Sequence, residues 1–201
     1  MATRVRNQRG EGERLRTALL DAASELLAET HDVDQLSVRA VTARAGVSPT
    51  AMYLHFSGKA ELTEAVKARS FEALTSVLRE ADAEHEGDPR AQLIAMGHAY
   101  LRFAREQPGQ YAILFQTPGG PDKRREDLTQ GLGIGGNAFG VLVNAVQRLL
   151  GDDVDPFELA CVHWMSLHGL ATAKAAMPKF PFPDEHRYIE LVVDRIAGAR
   201  R

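Results

Sequence analysis

Residues 37–59 have the sequence SVRAVTARAGVSPTAMYLHFSGK and contain two short helical patterns separated by a glycine. Ser37 can accept hydrogen bonds from the free amides of a following helical turn, and Ser48-Pro49 is a second helix start with proline at its first position. Gly46 lies where a left-handed backbone can end the first helix at little cost. The stretch therefore predicts two helices joined by a tight turn.

Each of these helices is predicted to have a buried and an exposed face. Val38, Val41 and Ala45 recur at helical spacing and should face a core, as should the pair Met52 and Phe56. On the first helix, the outer positions are Arg39, Thr42 and Arg44, which should face water or phosphate. On the second helix, Thr50 and Leu54 point away from the core, and Ala51 and Tyr53 lie beside them. Such a face is typical of a helix-turn-helix whose second helix enters the DNA major groove. A helical hairpin with an ordinary solvated face has the same spacing.

Three groups of residues in fixed order distinguish the stretch further, namely Ala45-Gly46-Val47-Ser48, Tyr53-x-His55-Phe56 and Lys59. They resemble the N-terminal DNA-binding domain of the TetR (tetracycline-repressor) family over residues 13 to about 66. The resemblance implies a three-helix DNA-binding domain joined to an all-helical ligand-binding and dimerisation domain. Base contacts are then expected from Thr50, Ala51 and Tyr53, and phosphate contacts from Ser37, Tyr53, His55 and Lys59. The complete expected DNA-binding set is Ser37, Arg39, Ser48, Thr50, Ala51, Tyr53, Leu54, His55 and Lys59.

Two positions depart from the family pattern. The link after the first helix, Glu29-Thr30-His31-Asp32, has no glycine, so His31 or Asp32 is expected to adopt the left-handed conformation. Leu54 is apolar on the outer face, which suggests contact with a thymine methyl group or with the sugar edge rather than a hydrogen bond.

Composition places the chain among globular proteins of the all-α class. The 201 residues are 44% hydrophobic and 25% charged, and no strand-like alternation or internal repeat is evident. No apolar run approaches the roughly 18 residues of a membrane span and no apolar signal-peptide core is present, so no membrane partner is expected. The single Cys161 excludes an internal disulfide framework and favours a cytoplasmic location.

The predicted domain organisation has four parts. Residues 1–12 form a basic flexible arm, 13–58 the helix-turn-helix domain, 59–83 a connector helix, and 84–201 the helical ligand-binding and dimerisation domain. The net charge is −3, but five arginines against two glutamates give residues 1–16 a local charge of +3. The arm could reach the minor groove or flanking phosphates, or it could be a loose tail that only aids solubility.

Later helices are predicted from their start and stop signals. Asp88-Pro89 and Asp155-Pro156 pair a capping carboxylate with a proline, and Asp184 begins a last helix. A helix is also predicted over 139–150, and 117–125 is predicted to be a loop.

A second cluster, Trp164-x-x-x-His168-Gly169, resembles the C-terminal domain of a TetR subgroup named for tryptophan, histidine and glycine. An indole and an imidazole on a buried face could hold the flat body and one polar atom of an effector. Alternatively, His168 is a satisfied core histidine beside Gly169, where two helices pack closely. The candidate ligand-binding residues are Met96, Tyr100, Phe103, Tyr111, Phe115, Phe139, Trp164 and His168.

Signals for catalysis, metals and cofactors are weak. Gly131–Gly136 formally matches G-x-G-x-x-G, but no strand precedes it, and a helix entry or a mobile segment explains it better. Cys161 and His163 are two residues apart and point to different sides of a helix, and no residues have metal-ligand spacing. The sequence thus predicts a non-enzymatic, cofactor-free, homodimeric regulator that binds a pseudo-palindromic operator, represses transcription and is released by a small molecule. An effector-independent DNA-binding protein and a helical interaction domain are the alternatives.

Overall fold

The structure, a computed structural model, describes residues 11–115, 125–130, 136–152 and 154–200. All regular secondary structure in these ranges is helical, which confirms the predicted all-α class. The α-helices are α1 (Glu11–Thr30), α2 (Val38–Arg44), α3 (Pro49–Met52), α4 (Lys59–Ala83), α5 (Pro89–Glu106), α6 (Pro108–Phe115), α7 (Arg125–Thr129), α8 (Gly136–Leu150), α9 (Pro156–Ala176) and α10 (Glu185–Ala197). Short 3₁₀ turns occupy Val33–Gln35 and Gly198–Arg200.

The described chain divides into two compact units. The first contains residues 11–70 and 108–115, and the second contains 71–107 together with the described residues from 125 onward. Helix α4 is continuous and belongs to both units, with the division at Ser70 and Phe71. The predicted connector helix over 59–83 therefore has the same bounds as α4.

The core of the first unit is built from one face of α1 and the apolar residues of the helices around it. Leu19, Ala23 and Leu27 are four residues apart on α1 and therefore share one face of the helix, where all three are fully buried. Helix α6 adds the fully buried Ile113 to the same cluster and packs on α1 and the first 3₁₀ turn. Residues 108–115, predicted as part of the 84–201 region, thus pack with the N-terminal helices.

The end of α1 adopts the left-handed turn that the sequence predicts. His31 has φ of 53°, and its amide donates to the Leu27 carbonyl at 2.9 Å. This is the αL ending of a helix in a residue that has a Cβ, where glycine is the usual choice. Asp32 instead has an extended backbone and accepts a 2.8 Å hydrogen bond from the Asp34 amide, so it caps the first 3₁₀ turn.

His31→Gly is expected to stabilise the first unit by about 0.5 kcal/mol, because relief of left-handed strain slightly exceeds the extra entropy of an unfolded glycine. Urea denaturation followed by circular dichroism measures the change. Asp32→Gly is the matched control and should destabilise, because it removes a cap. Equal losses in both variants would contradict the role assigned to His31.

Four helices, α5, α8, α9 and α10, pack on one another in the second unit. The predicted caps are present: Asp88 accepts from the Ala91 amide, Asp155 from Phe157 and Asp184 from Arg187, each at 3.0 Å. Leu93 on α5, Val146 on α8 and Ile189 on α10 are fully buried.

Several boundaries differ from those predicted. Helix α1 begins at Glu11, inside the expected arm, and α8 begins at Gly136 rather than at residue 139. Arg125, predicted to end a loop, begins the short helix α7, where it forms an ion pair with Asp155. Such ends depend on contacts as well as on local signals. The predictions for residues 1–10, 116–124 and 131–135 lie outside the described residues, and no described helix is long and apolar enough to span a membrane.

Candidate DNA-binding site

The helix-turn-helix is held in shape by its predicted capping residues. Ser37 Oγ accepts from the Ala40 amide at 3.2 Å and begins α2. Gly46 then has φ of 69°, and the Val47 amide donates to the Thr42 carbonyl at 2.9 Å. Ser48 Oγ accepts from the Ala51 amide at 3.2 Å, with Pro49 at the first position of α3. Both serines use an acceptor site in capping, which leaves the hydroxyl proton available for an outside acceptor such as a phosphate.

Helix α3 is shorter than the sequence suggests. It ends at Met52, and the chain continues as a turn in which the amides of Leu54 and His55 donate to carbonyls three residues back, at 3.2 and 2.9 Å. Bonds of this i to i+3 type tighten the backbone relative to an α-helix. Residues 53–55 are therefore presented by a turn fixed to the end of α3.

The two faces of this segment are separated as predicted. Met52 and Phe56 are 0% and 2% exposed and belong to the core of the first unit. On the other side, Tyr53 is 57% exposed and Leu54 is 74% exposed. Thr50 and Ser48 are also exposed, and Ala51 and His55 are half-buried. Of the residues expected to meet bases, Thr50 and Tyr53 are therefore accessible, while Met52 and Phe56 anchor the segment in the core.

Two exposed cations lie before and after this segment in the sequence. Arg39 on α2 and Lys59 at the start of α4 are exposed, and neither forms an ion pair with another described residue. Glu61 lies two residues beyond Lys59, and its carboxylate accepts from the Ser57 amide at 2.7 Å. That hydrogen bond lowers the pKa of Glu61, so the bend before α4 is fixed by an ionised side chain.

Of two residues predicted to face water or phosphate, Thr42 is buried, and Arg44 is exposed but paired with carboxylates of α1. Thr42 is 1% exposed, and its hydroxyl donates to the Val38 carbonyl at 2.9 Å. Arg44 Nη1 donates to Glu29 at 2.7 Å and also contacts Glu25 at 3.4 Å. This pairing lowers the pKa of Glu29. Arg44 therefore ties α2 to α1 in this structure instead of presenting a free charge.

Part of the candidate ligand-binding set forms a connected aromatic cluster in the second unit. Trp164 contacts Phe139 edge-on with ring centroids 6.3 Å apart and lies 5.6 Å from the ring of His168. His168 Nδ1 is hydrogen-bonded to the Tyr100 hydroxyl at 3.1 Å. Burial lowers the pKa of His168, so a neutral imidazole is favoured. Met96 and Phe103 are buried on the same helix as Tyr100.

The other two candidates lie elsewhere. Tyr111 and Phe115 are on α6 in the first unit, where their rings are 5.0 Å apart. Gly169 also differs from expectation, because it is exposed and, apart from its chain neighbours and the adjacent backbone of α9, no described atom lies within 4 Å of where its Cβ would be. The close helix packing suggested for this glycine is therefore absent among the described residues.

From sequence, His163 is considered for catalysis with Cys161 and for metal binding with His168, and not as a buried core residue. In the structure His163 is 1% exposed and lies in the buried stripe of α9 with Ala160, Leu167 and Leu170. Its Nδ1 has no hydrogen-bond partner, and burial lowers its pKa to about 4. The spacing i, i+3, i+7 and i+10 of this stripe was the signal that could have identified it. Within the described residues, no group of three metal-ligating side chains is present.

Two family models match the chain. One, described as bacterial regulatory proteins of the tetR family, matches residues 19–66, and the other, described as the tetracyclin repressor-like C-terminal domain, matches residues 93–196. The chain belongs to the TetR family. The family confirms a DNA-binding transcriptional regulator that is not an enzyme; the subgroup suggested by Trp164, His168 and Gly169 stays a prediction.

Individual relatives and solved structures are consistent with this result. The uncharacterized HTH-type transcriptional regulator YobS of Bacillus subtilis is 30% identical over 109 residues, and the match spans 54% of each chain, about half its length. A protein with unknown function from Rhodococcus sp. RHA1 is 26% identical, with a TM-score of 0.74 over 92% of this chain and 94% of that one. SmeT, the repressor of the Stenotrophomonas maltophilia multidrug efflux pump SmeDEF, has a TM-score of 0.62 at 21% identity, over 92% and 89% of the two chains. The last likeness concerns the fold alone.

Proposed function

We propose that this TetR-family protein is a cytoplasmic, homodimeric repressor that binds a pseudo-palindromic operator and is released by a small-molecule effector. DNA contact is assigned to Ser37, Arg39, Ser48, Thr50, Ala51, Tyr53, Leu54, His55 and Lys59. The observation that carries the proposal is the exposure of Tyr53 and Leu54 on a turn whose opposite side is anchored in the core. SmeT, which shares the fold, is itself a repressor.

The distribution of exposed apolar side chains supports a dimer. Apart from Tyr53 and Leu54, the large hydrophobic side chains exposed in the described residues all lie on α9, on α10 or between them: Val162, Met165, Met177, Phe180 and Leu191. Helix α9 also has a buried stripe on its opposite side. Apolar residues on two sides of a helix are typical of a helix that is covered by other protein on both sides. A second copy of the chain that covers this surface would give a homodimer with two-fold symmetry. Such a protein reads two half-sites about 34–36 Å apart or a multiple of that distance.

Effector release is proposed to act through linkage between two sites. The aromatic cluster around Trp164 and His168 and the buried Met96, Tyr100 and Phe103 offer apolar surface with few polar groups, as ligand sites usually do. In one conformation of the dimer, the distance between the two recognition helices would not match the distance between the operator half-sites. An effector that binds this conformation more tightly weakens DNA binding, and DNA weakens effector binding by the same factor. The continuous α4 would carry the change between the units.

The decisive experiment is selection of bound fragments from the source genome, followed by footprinting with and without candidate effectors. A two-half-site footprint, a dimer mass in sedimentation and release by one effector class would support all parts of the proposal. Binding that no metabolite alters would favour an effector-independent regulator. Weak binding without sequence preference would favour an interaction domain.

Tyr53→Ala is expected to weaken operator binding by about 1–3 kcal/mol, the range for loss of one base or phosphate contact. Because the side chain is more than half exposed, the helical circular dichroism and the urea midpoint should stay unchanged. Fluorescence anisotropy with labelled operator measures the loss. Tyr53→Phe separates the ring from the hydroxyl, and full affinity in Tyr53→Ala would refute the proposed docking of this turn.

A further inference from the structure

The segment that would read bases lacks every side chain that forms bidentate hydrogen bonds with a base edge. Residues 45–58 contain no arginine, lysine, asparagine, glutamine, aspartate or glutamate. Arginine and lysine are the usual readers of guanine, asparagine and glutamine of adenine, and the carboxylates of cytosine. Bidentate readout of guanine or adenine and carboxylate readout of cytosine are therefore not available from α3 and its turn, which leaves single hydrogen bonds from groups such as the Thr50 and Tyr53 hydroxyls.

The segment instead presents an exposed apolar surface. Leu54 and Tyr53 are the two large hydrophobic side chains that are exposed among the described residues of the first unit. Leu54 is held outward because its amide donates to the Ala51 carbonyl while Met52 and Phe56 on either side are buried in the core. No described residue of the first unit covers the Leu54 side chain. Leu54 therefore contributes little burial energy to the folding of this unit.

Among the base edges in the major groove, the C5-methyl group of thymine is the apolar feature. We infer that the protein recognises its operator half-sites chiefly through thymine methyl groups packed against Leu54. The inference rests on the proposed role of this surface in DNA binding. Lys59 directly follows the uncharged stretch and Arg39 lies six residues before it; both would supply phosphate attraction, which orients the protein but carries no sequence information.

The inference distinguishes two partners that Leu54 could have on DNA. Contact with a deoxyribose would bury similar apolar area but would be the same for all four nucleotides. Contact with a methyl group makes affinity depend on one carbon atom, and that atom can be removed without changing the phosphates or the Watson–Crick pairing.

The test uses the full chain and an operator obtained by selection, with single thymines replaced by deoxyuridine. We expect about a fourfold loss of affinity for each contacted thymine, and about 15-fold when the equivalent thymine in both half-sites is replaced, from the burial of one methyl group. The salt dependence of binding should stay the same, because no phosphate contact is lost. Deoxyuridine at thymines outside the half-sites is the matched control and should change nothing.

Leu54→Ala completes the test, because it should bind the thymine and deoxyuridine operators with nearly equal affinity. Because Leu54 is 74% exposed, the variant should fold as the natural protein does, and an unchanged urea midpoint verifies this. Specific binding that deoxyuridine leaves unaltered, or a deoxyuridine effect that persists in Leu54→Ala, would overturn the inference while the proposed function stands. Absence of any specific operator would instead overturn the proposed function and the inference together.

Discussion

Gly109→Ala is expected to destabilise the first unit by about 3 kcal/mol or more, near the upper end of overpacking effects. A Cβ on Gly109 would lie 1.9 Å from the Leu27 carbonyl oxygen and 2.4 Å from its carbon. Both are backbone atoms, and that oxygen accepts the hydrogen bond that ends α1 at His31. The clash is therefore relieved only by moving α6 away from α1, which exposes the buried Ile113.

Two probes separate the units in this experiment. Trp164 is the single tryptophan and lies in the second unit, whereas far-ultraviolet circular dichroism reports both units. In urea, Gly109→Ala should show an early loss of helix that precedes the change in Trp164 fluorescence. Gly58→Ala is the control in the same unit, because nothing lies within 4 Å of its Cβ position. Similar curves for the two variants would show that α6 tolerates the displacement.

Helix starts could be predicted from sequence because their causes are local. Ser48-Pro49, Asp88-Pro89 and Asp155-Pro156 each supply an acceptor for a free amide and a preset φ within two adjacent residues. The structure has a helix beginning at each proline. A left-handed residue at His31 or Asp32 could be predicted for the same reason, because the turn requires one and the link has no glycine; the structure assigns it to His31.

Partners distant in sequence could not be predicted in this way. A helical wheel places Arg44 and Thr42 relative to their own helix only, but α1 supplies Glu25 and Glu29 to Arg44. Likewise, Pro108-Gly109 indicates a chain break, but its close approach to Leu27 depends on how α6 packs. The faces of the DNA-binding segment were predictable because Met52 and Phe56 define the buried side by spacing alone.

The buried residue His163 also has a property that depends on partners distant in sequence. Its position among apolar residues of α9 follows from spacing, but the absence of a partner for Nδ1 depends on which neighbours surround it. An unpaired buried polar atom costs about 1–3 kcal/mol. Leucine is close in size and has no polar atom, so His163→Leu is expected to be at least as stable as the natural protein at pH 7.5.

The larger effect of His163 is expected in acid. Its pKa is about 4 in the folded protein and about 6.5 in an unfolded chain. Between these values the unfolded state binds the proton and the folded state does not, so stability falls as pH falls from 6.5 to 4. The difference of about 2.5 pKa units corresponds to a loss of about 3 kcal/mol.

Urea denaturation from pH 7.5 to 4, followed by Trp164 fluorescence, measures this loss in the second unit. Burial also lowers the pKa of His98 and His168, which contribute in the same direction. The informative quantity is therefore the difference between the natural protein and His163→Leu, which should widen by about 3 kcal/mol toward pH 4. If both proteins lose stability equally, the proton is taken up elsewhere, and His163 must be solvated or hydrogen-bonded in the folded state. If the difference in the free energy of unfolding widens instead, unfolding of this unit is coupled to protonation of His163. The reason is that the folded core cannot accommodate this imidazole in its charged form.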